Sequence, residues 1–192
     1  MPKIIAERTR PGNSIIIPKD RVEDRICDKL ILDAKLNFEP ATINNTARPV
    51  PYISSSVRNN QVFWGTEQWV YDYIWPKMVQ ATEDIGWNYQ LEMAESYQIA
   101  KSEVGELHAW HQDGLGQITH DAESDKVRKL SMSLLLNDDY EGGELEVFPN
   151  GPMKLPKGTM IFFPSFQCHQ VLPVTKGTRY SLVMWFSGKP WQ

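Results

Sequence analysis

The stretch HAWHQDGLG, residues 108 to 116, places two of the chain's four histidines and an aspartate within six positions. Imidazole nitrogens and carboxylate oxygens bind first-row metal ions and also carry protons, so this segment is where chemistry is to be sought. Residues two apart in an extended chain share a face, roughly 6.5–7 Å apart along the strand. His111 and Asp113 can therefore converge on one ion. His108 does not share that parity with Asp113 in a regular strand, and reads as a pocket-wall or hydrogen-bonding residue. A third ligand must come from elsewhere. His120 lies in the polar stretch GQITHDAESDK and reads as a solvated loop residue. His169 lies in PSFQCHQVLPV, a strand-like segment after a tight-looking turn, and is the choice.

Two histidines and one carboxylate leave coordination positions open. That is the ligand set of non-haem Fe(II) oxygenases, in which iron must hold a bidentate co-substrate and then O2. The same set could hold a catalytic zinc with water in the open position. Arg179, ten residues beyond His169 in GTRYSLVMWF, favours iron. Its planar, permanently charged fork suits a carboxylate gripped through two hydrogen bonds. A hairpin-like return from His169 would place it on an adjacent strand, with Ser181 facing the same way two residues on. Together they make a seat for the distal carboxylate of 2-oxoglutarate, an anchor that a zinc hydrolase would not need. Three readings compete: an oxygenase, a zinc hydrolase or isomerase on a similar barrel, and a non-catalytic jelly-roll binding module. Arg179 and Ser181 favour the first over the second, and the complete triad favours both over the third.

These residues need a scaffold, and the 192-residue chain is long enough for one domain without disulfides. Residues 1–88 read as a helical and loop support region and residues 89–192 as a β core. In DRVEDRICDKLILDAK, Val22, Ile26 and Leu30 recur every four residues, widened by Cys27, Ile31 and Ala34, with Asp20 as the expected N-cap. A second helix is expected from Thr66, with Val70, Ile74, Met78 and Ala81 on its apolar face and Pro76 kinking or splitting it. NFEPATINNTARPVPYISSSVRNNQ reads as loop, and the 40–65 segment is expected to fold over a substrate groove. LEMAESYQI, KLSMSLLL, ELEVF, TMIFF and RYSLVMWF alternate like strands, with NDDYEGGEL and PKGTM as hairpin turns. Six or more short strands separated by turns suggest a sandwich or jelly roll.

Composition narrows the partners. A net charge of −4 with no Lys/Arg run argues against nucleic acid as substrate or partner. No segment approaches the length of a membrane span, and no apolar leader opens the chain. Two cysteines without paired spacing favour a reducing compartment, so a cytoplasmic protein is expected.

With these residues in view, the sequence resembles the Fe(II)- and 2-oxoglutarate-dependent dioxygenases, specifically the prolyl 4-hydroxylase-like (PKHD-type) branch. The resemblance covers roughly residues 97 to 187. It is carried by HQD at 111–113, RKLSMSLLLNDDYEGGELEVFP at 128–149, LPKGTMIFFPS at 155–165 and CHQVLPVTKGTRYSLVMWF at 168–186. HxD alone is weak; the ordered series ending in a histidine followed ten residues later by arginine is strong. The resemblance implies an α+β, mainly β fold: a double-stranded β-helix (jelly roll, cupin-like) braced by N-terminal helices. It implies Fe(II), 2-oxoglutarate and O2, with ascorbate as reductant. It maps the metal ligands onto His111, Asp113 and His169, the co-substrate arginine onto Arg179, and substrate contacts onto Arg128 and Trp185. Relatives often carry tyrosines nine and three residues before the first ligand, where Ser102 and His108 stand here; Ser181 or Tyr97 is the expected replacement in co-substrate binding. The implied reaction hydroxylates an unactivated C–H bond while 2-oxoglutarate is decarboxylated to succinate and CO2. The implied substrate is a prolyl residue in a peptide or protein, with a free amino acid or small molecule as the alternative. Oligomeric state is not legible.

Overall fold

In a computed structural model of the protein, residues 15–45, 48–52, 57–87, 89–116 and 126–190 are described. His120 lies outside them, as do parts of the 40–65 segment. Helix α1 (Asp24–Ala34) precedes strands β1 (Glu39–Pro40), β2 (Ile43–Asn45), β3 (Arg48–Tyr52) and β4 (Gln61–Gly65), then helix α2 (Gln68–Ile85). There follow β5 (Met93–Ala94), β6 (Tyr97–Ser102), β7 (His108–His111), a 3-10 turn (Asp113–Gly116), β8 (Val127–Leu135), β9 (Glu141–Gly142) and β10 (Leu145–Val147). The last strands are β11 (Pro152–Met153), β12 (Met160–Pro164), β13 (His169–Val171), β14 (Val174–Lys176) and β15 (Arg179–Gly188). The larger sheet runs β1-β4-β6-β15-β8-β12, with β5 also on β15; the smaller runs β11-β10-β13-β7. Two further pairs, β14-β9 and β2-β3, stand apart. The fold is the double-stranded β-helix that the resemblance implies.

Alternation along the central strands divides the interior in two. Leu182, Met184 and Phe186 of β15, Leu130, Met132 and Leu134 of β8, and Tyr97 and Ile99 of β6 face the helices. There they meet Cys27, Leu30 and Ala34 of α1 and Val70, Ile74, Met78 and Ala81 of α2. The other face looks at the smaller sheet. At one end it is apolar, with Ile161 and Phe163 against Leu145 and Val147. Elsewhere it carries buried polar groups: Gln98, Ser102, Ser131, Ser133, Arg179 and Ser181. A β-helix that fills its inner face with serines and an arginine is built around a site.

Several local expectations are corrected. Asp20 is not an N-cap, because Val22 donates its N–H to Gly158 and keeps the chain extended until Asp24. Glu23 occupies the cap position and accepts instead from the Tyr73 hydroxyl of α2. Helix α2 starts at Gln68 rather than Thr66 and continues through Pro76. An internal proline costs roughly 3 kcal/mol; burial of Val70, Ile74 and Met78, at about 1.5–3 kcal/mol each, outweighs it. The segment read as loop contains β1, β2 and β3, and β4 follows it as a full member of the larger sheet. NDDYEGGEL and PKGTM are not hairpin turns. Strand β8 pairs with β12 and β15, whereas β9 pairs with β14 and β10 with β11 and β13. Both segments reverse the chain while carrying it between sheets, as jelly-roll winding demands.

Candidate metal centre

Strand β7 ends at His111, and the chain turns at once into the 3-10 segment that opens with Asp113. The two ligands are therefore not neighbours on one strand face, as the HxD spacing suggested. Asp113 is aimed by its own N–H, which donates to the Ser165 carbonyl at 2.9 Å. His169 sits directly across from His111 in the β13–β7 pairing. The result is one cluster: His111 Nε2 lies 3.7 Å from Asp113 Oδ1, and His169 Nε2 lies 3.6 Å from Asp113 Oδ2. All three ligand atoms fall within 4.8 Å of one another, the only such metal-capable group among the described residues.

The surroundings prepare these atoms for a cation. Each imidazole is 2.9 Å through Nδ1 from a carbonyl two residues earlier, Ala109 for His111 and Gln167 for His169. With the proton on Nδ1, each Nε2 lone pair is left facing the cluster. Burial, then His169, holds the His111 imidazole down to about 4, against the opposing pull of Asp113 and the Ala109 carbonyl, so it is neutral and ready to ligate at neutral pH. Burial alone would raise the Asp113 carboxyl, but His169, His111 and the Ser131 hydroxyl overcome it and the net direction is down. Ser131 Oγ lies 2.6 Å from Asp113 Oδ2 and 2.9 Å from Ser165 Oγ. Two imidazole nitrogens and one carboxylate oxygen, largely buried and aimed at one point, fit Fe(II) or zinc.

His108 stacks on His111, ring centroids 3.7 Å apart. The parity rule fails because the β7–β13 register shifts between His169 and Val171, a bulge that turns His108 inward. It is a wall residue and not a ligand.

Arg179 begins β15, paired in register with Ser102 of β6, on the larger sheet and not beside β13. The expected hairpin return is thus a crossing to the opposite sheet. Arg179 is 2% exposed, and its Nη1 donates to Ser181 Oγ at 2.8 Å. Its Nε has no acceptor. Burial lowers its pKa, with Tyr140 and then Glu144 opposing. Gly143, at φ 64°, lies so close that a Cβ there would stand 2.9 Å from Arg179 Cδ. A buried guanidinium with an unused donor is a receptor for a carboxylate. The donor set and this cradle together fit iron and 2-oxoglutarate.

The other expected contacts divide. Trp185, across from Ser131, is inward-facing, and its indole N–H has no partner. Arg128 lies over the Trp185 ring at 4.1 Å and makes a bidentate pair with Glu95. Both therefore stand together at the site's wall. Tyr97 does not: it is on the opposite face of β6, packed against Tyr71 and Phe63 and donating its hydroxyl to Glu67. Cys168, beside His169 in sequence, is half-buried.

Sequence reasoning missed Ser131 and Ser165, the serines behind Asp113, though the polar alternation in LSMSLLL was the available signal. It also missed Arg58. Residues 57–59 run along the free edge of β7: Ala109 donates to the Val57 carbonyl at 2.8 Å, Leu107 to Asn59 Oδ1 at 2.8 Å, and Arg58 bridges His108. The chain then turns into β4, which pairs with β6. Arg58 shares the inward face with His108 and donates to Asn60 Oδ1 at 2.9 Å and to Gln98 Oε1. Burial holds its pKa down to about 10 against the opposing pull of Asp113, so it remains charged at neutral pH.

The 2OG-Fe(II) oxygenase superfamily model matches residues 97–187. A PKHD-type hydroxylase of Synechococcus sp. (strain CC9902) is 35% identical over 100 residues, 50% of this chain and 42% of the relative. One of Hyphomonas neptunium is 46% identical over 61 residues, 29% of this chain and 27% of the relative. The matched stretch is thus less than half the length of these curated relatives. Among solved structures, the viral collagen prolyl hydroxylase of Paramecium Bursaria Chlorella virus-1 aligns with a TM-score of 0.71 at 22% identity, covering 92% of this chain and 97% of that one. A Pseudomonas putida prolyl-4-hydroxylase aligns at 0.66 and 19% identity, covering 93% and 94%. These structural likenesses speak to the fold, and the segment matched by the family model contains His111, Asp113, His169 and Arg179. Over residues 97–187 the chain matches the 2OG-Fe(II) oxygenase superfamily and is similar to the PKHD-type hydroxylases.

Proposed function

We propose that this protein is an Fe(II)- and 2-oxoglutarate-dependent dioxygenase that hydroxylates an unactivated C–H bond of a prolyl residue in a peptide or protein. In that reaction 2-oxoglutarate is decarboxylated to succinate and CO2, with ascorbate as external reductant. The supporting observation is joint: the His111–Asp113–His169 cluster meets the larger sheet at Ser131, and the same inner face of that sheet carries a buried arginine, Arg179, whose Nε is unused. The zinc-hydrolase reading gives Arg179 no task.

Fe(II) and 2-oxoglutarate, when bound, supply the O2 chemistry. The chain's own work is to position. His111 and His169 offer Nε2, Asp113 offers a charged carboxylate, and Ser131 restrains it. Arg179 and Ser181 hold the far carboxylate of the co-substrate. Trp185 and Arg128 wall the substrate side. The prolyl target is supported by the solved neighbours named prolyl hydroxylases, one of them in complex with a hypoxia inducible factor peptide fragment. Two unpaired cysteines suit a reducing, cytoplasmic setting. No helix among the described residues is long and apolar enough to cross a membrane.

The test is an anaerobic titration with Fe(II) and then 2-oxoglutarate, following the visible charge-transfer band of chelated 2-oxoglutarate. The band should form in the wild type and be lost or weakened in Asp113→Ala and Arg179→Ala. Proline-containing peptides incubated aerobically should then gain one oxygen by mass, with succinate formed in step. Absence of the band together with tight zinc binding overturns the oxygenase reading.

A further inference from the structure

Arg58 is the cation of this site for which the reaction as proposed has no use. It reaches the cavity from the corner where the chain leaves the edge of β7 for β4, on the face shared by His108 and the His111 ring stacked beneath it. Its acceptors, Asn60 Oδ1 and Gln98 Oε1, are both neutral amides. Among the described residues it forms no ion pair, and its third nitrogen, Nη1, makes no hydrogen bond. The residue is half-buried, so that nitrogen is not sealed from an incoming molecule. Arg128 differs: Glu95 already grips it with both oxygens.

Charge balance makes the same point. Glu144 is the carboxylate that acts on Arg179, and Asp113 is the one that acts on Arg58. With Asp113 committed to a metal ion, Arg58 would have no carboxylate of its own among the described residues. A partly desolvated, unpaired guanidinium is costly, and an anion of the substrate relieves that cost.

We propose that Arg58 binds a carboxylate of the substrate close to the carbon that is oxidised, so that the enzyme selects acidic over neutral substrates. This inference rests on the oxygenase reading above. The carboxylate comes either from the end of a chain or free amino acid whose target is its last residue, or from an Asp or Glu side chain flanking the target. Asn60 and Gln98 hold the guanidinium plane so that Nη1 meets it.

The test uses the protein loaded anaerobically with Fe(II) and 2-oxoglutarate. Two probe pairs are titrated by calorimetry: a proline-ended peptide as free acid and as amide, and an internal-proline peptide flanked by Asp or by Asn. The acid of at least one pair should bind about tenfold or more tightly than its neutral twin. Which pair shows the preference identifies the source of the carboxylate. Arg58→Gln should abolish the preference and Arg58→Lys should retain part of it. If the band forms in the wild type but both pairs bind without discrimination, the inference fails while the oxygenase reading stands. That comparison needs no variant to fold. If the band does not form, the oxygenase reading fails first. If Arg58→Gln keeps the acid preference and instead raises the 2-oxoglutarate concentration needed for the band, Arg58 serves the co-substrate and the inference is overturned.

Discussion

Ser131, on the larger sheet, lies with its hydroxyl oxygen 2.6 Å from the carboxylate of Asp113, which is tethered to the turn after β12 through the Ser165 carbonyl. This is a clamp across the two walls of the β-helix. Groups behind a metal ligand fix its orientation, and their loss commonly weakens metal affinity 10–100-fold. Ser131→Ala should therefore weaken Fe(II) binding by at least about tenfold. Anaerobic Fe(II) titration measures it, and unaltered affinity would mean that the Ser165 tether alone suffices.

Gly143 combines a positive φ with contact against Arg179 and Val174. A methyl there would stand 2.9 Å from Arg179 Cδ and 3.0 Å from Val174 Cγ2. Gly143→Ala should lose about 1–2 kcal/mol of stability to backbone strain and displace the guanidinium. The half-saturation for 2-oxoglutarate in the charge-transfer assay should rise about tenfold, while Fe(II) affinity stays as in the wild type.

Tyr97 gives the converse expectation. Its hydroxyl serves Glu67 on the helix side of β6. Tyr97→Phe should leave 2-oxoglutarate half-saturation unchanged and lower the melting temperature by a few degrees, the effect of a lost hydrogen bond worth about 1 kcal/mol. A large rise in half-saturation with no loss of stability would return Tyr97 to the site.

Cys27 carries a pH dependence. Burial, first among its influences, raises the thiol from 9.0 to about 11 in the folded chain. Below pH 9 the thiol is protonated folded or unfolded. Between 9 and about 11 only the unfolded chain releases the proton, so stability falls as pH rises and levels off above the folded value. The loss is on the order of 2 kcal/mol. Denaturant unfolding of wild type and Cys27→Ala across that range should show a steeper decline in the wild type, and parallel declines would exclude a role for the thiol.

The His111–Asp113–His169 cluster was legible because its chemistry is sharp: few side chains combine as HxD and a distant histidine followed ten residues on by an arginine. The strands were legible through alternation. The sheet to which each strand belongs was not, since Gly and Asp in NDDYEGGEL specify a reversal but carry no information about the partner that receives the next strand. Tyr97 was misplaced for a related reason: the period-two rule separates residues by face without saying which face looks at the metal. Arg58 was invisible because RNNQ has the composition of a loop, and its edge pairing with β7 depends on contacts some fifty residues away. His108 escaped because one bulge overrides parity.

The corner at residues 57–65 has a bearing on how this fold can be cut and moved. The segment matched by the family begins at residue 97, yet one edge of each sheet is closed by chain that precedes it. A fragment trimmed to the matched boundary would bare the edges of β6 and β7 and the apolar side of the larger sheet, an invitation to strand-by-strand self-association. It would keep every iron ligand and yet lose a wall of the cavity. The segment recognised by sequence comparison is thus smaller than the unit that closes the sheet edges, and transplanting this chemistry to another scaffold must carry the N-terminal corner along.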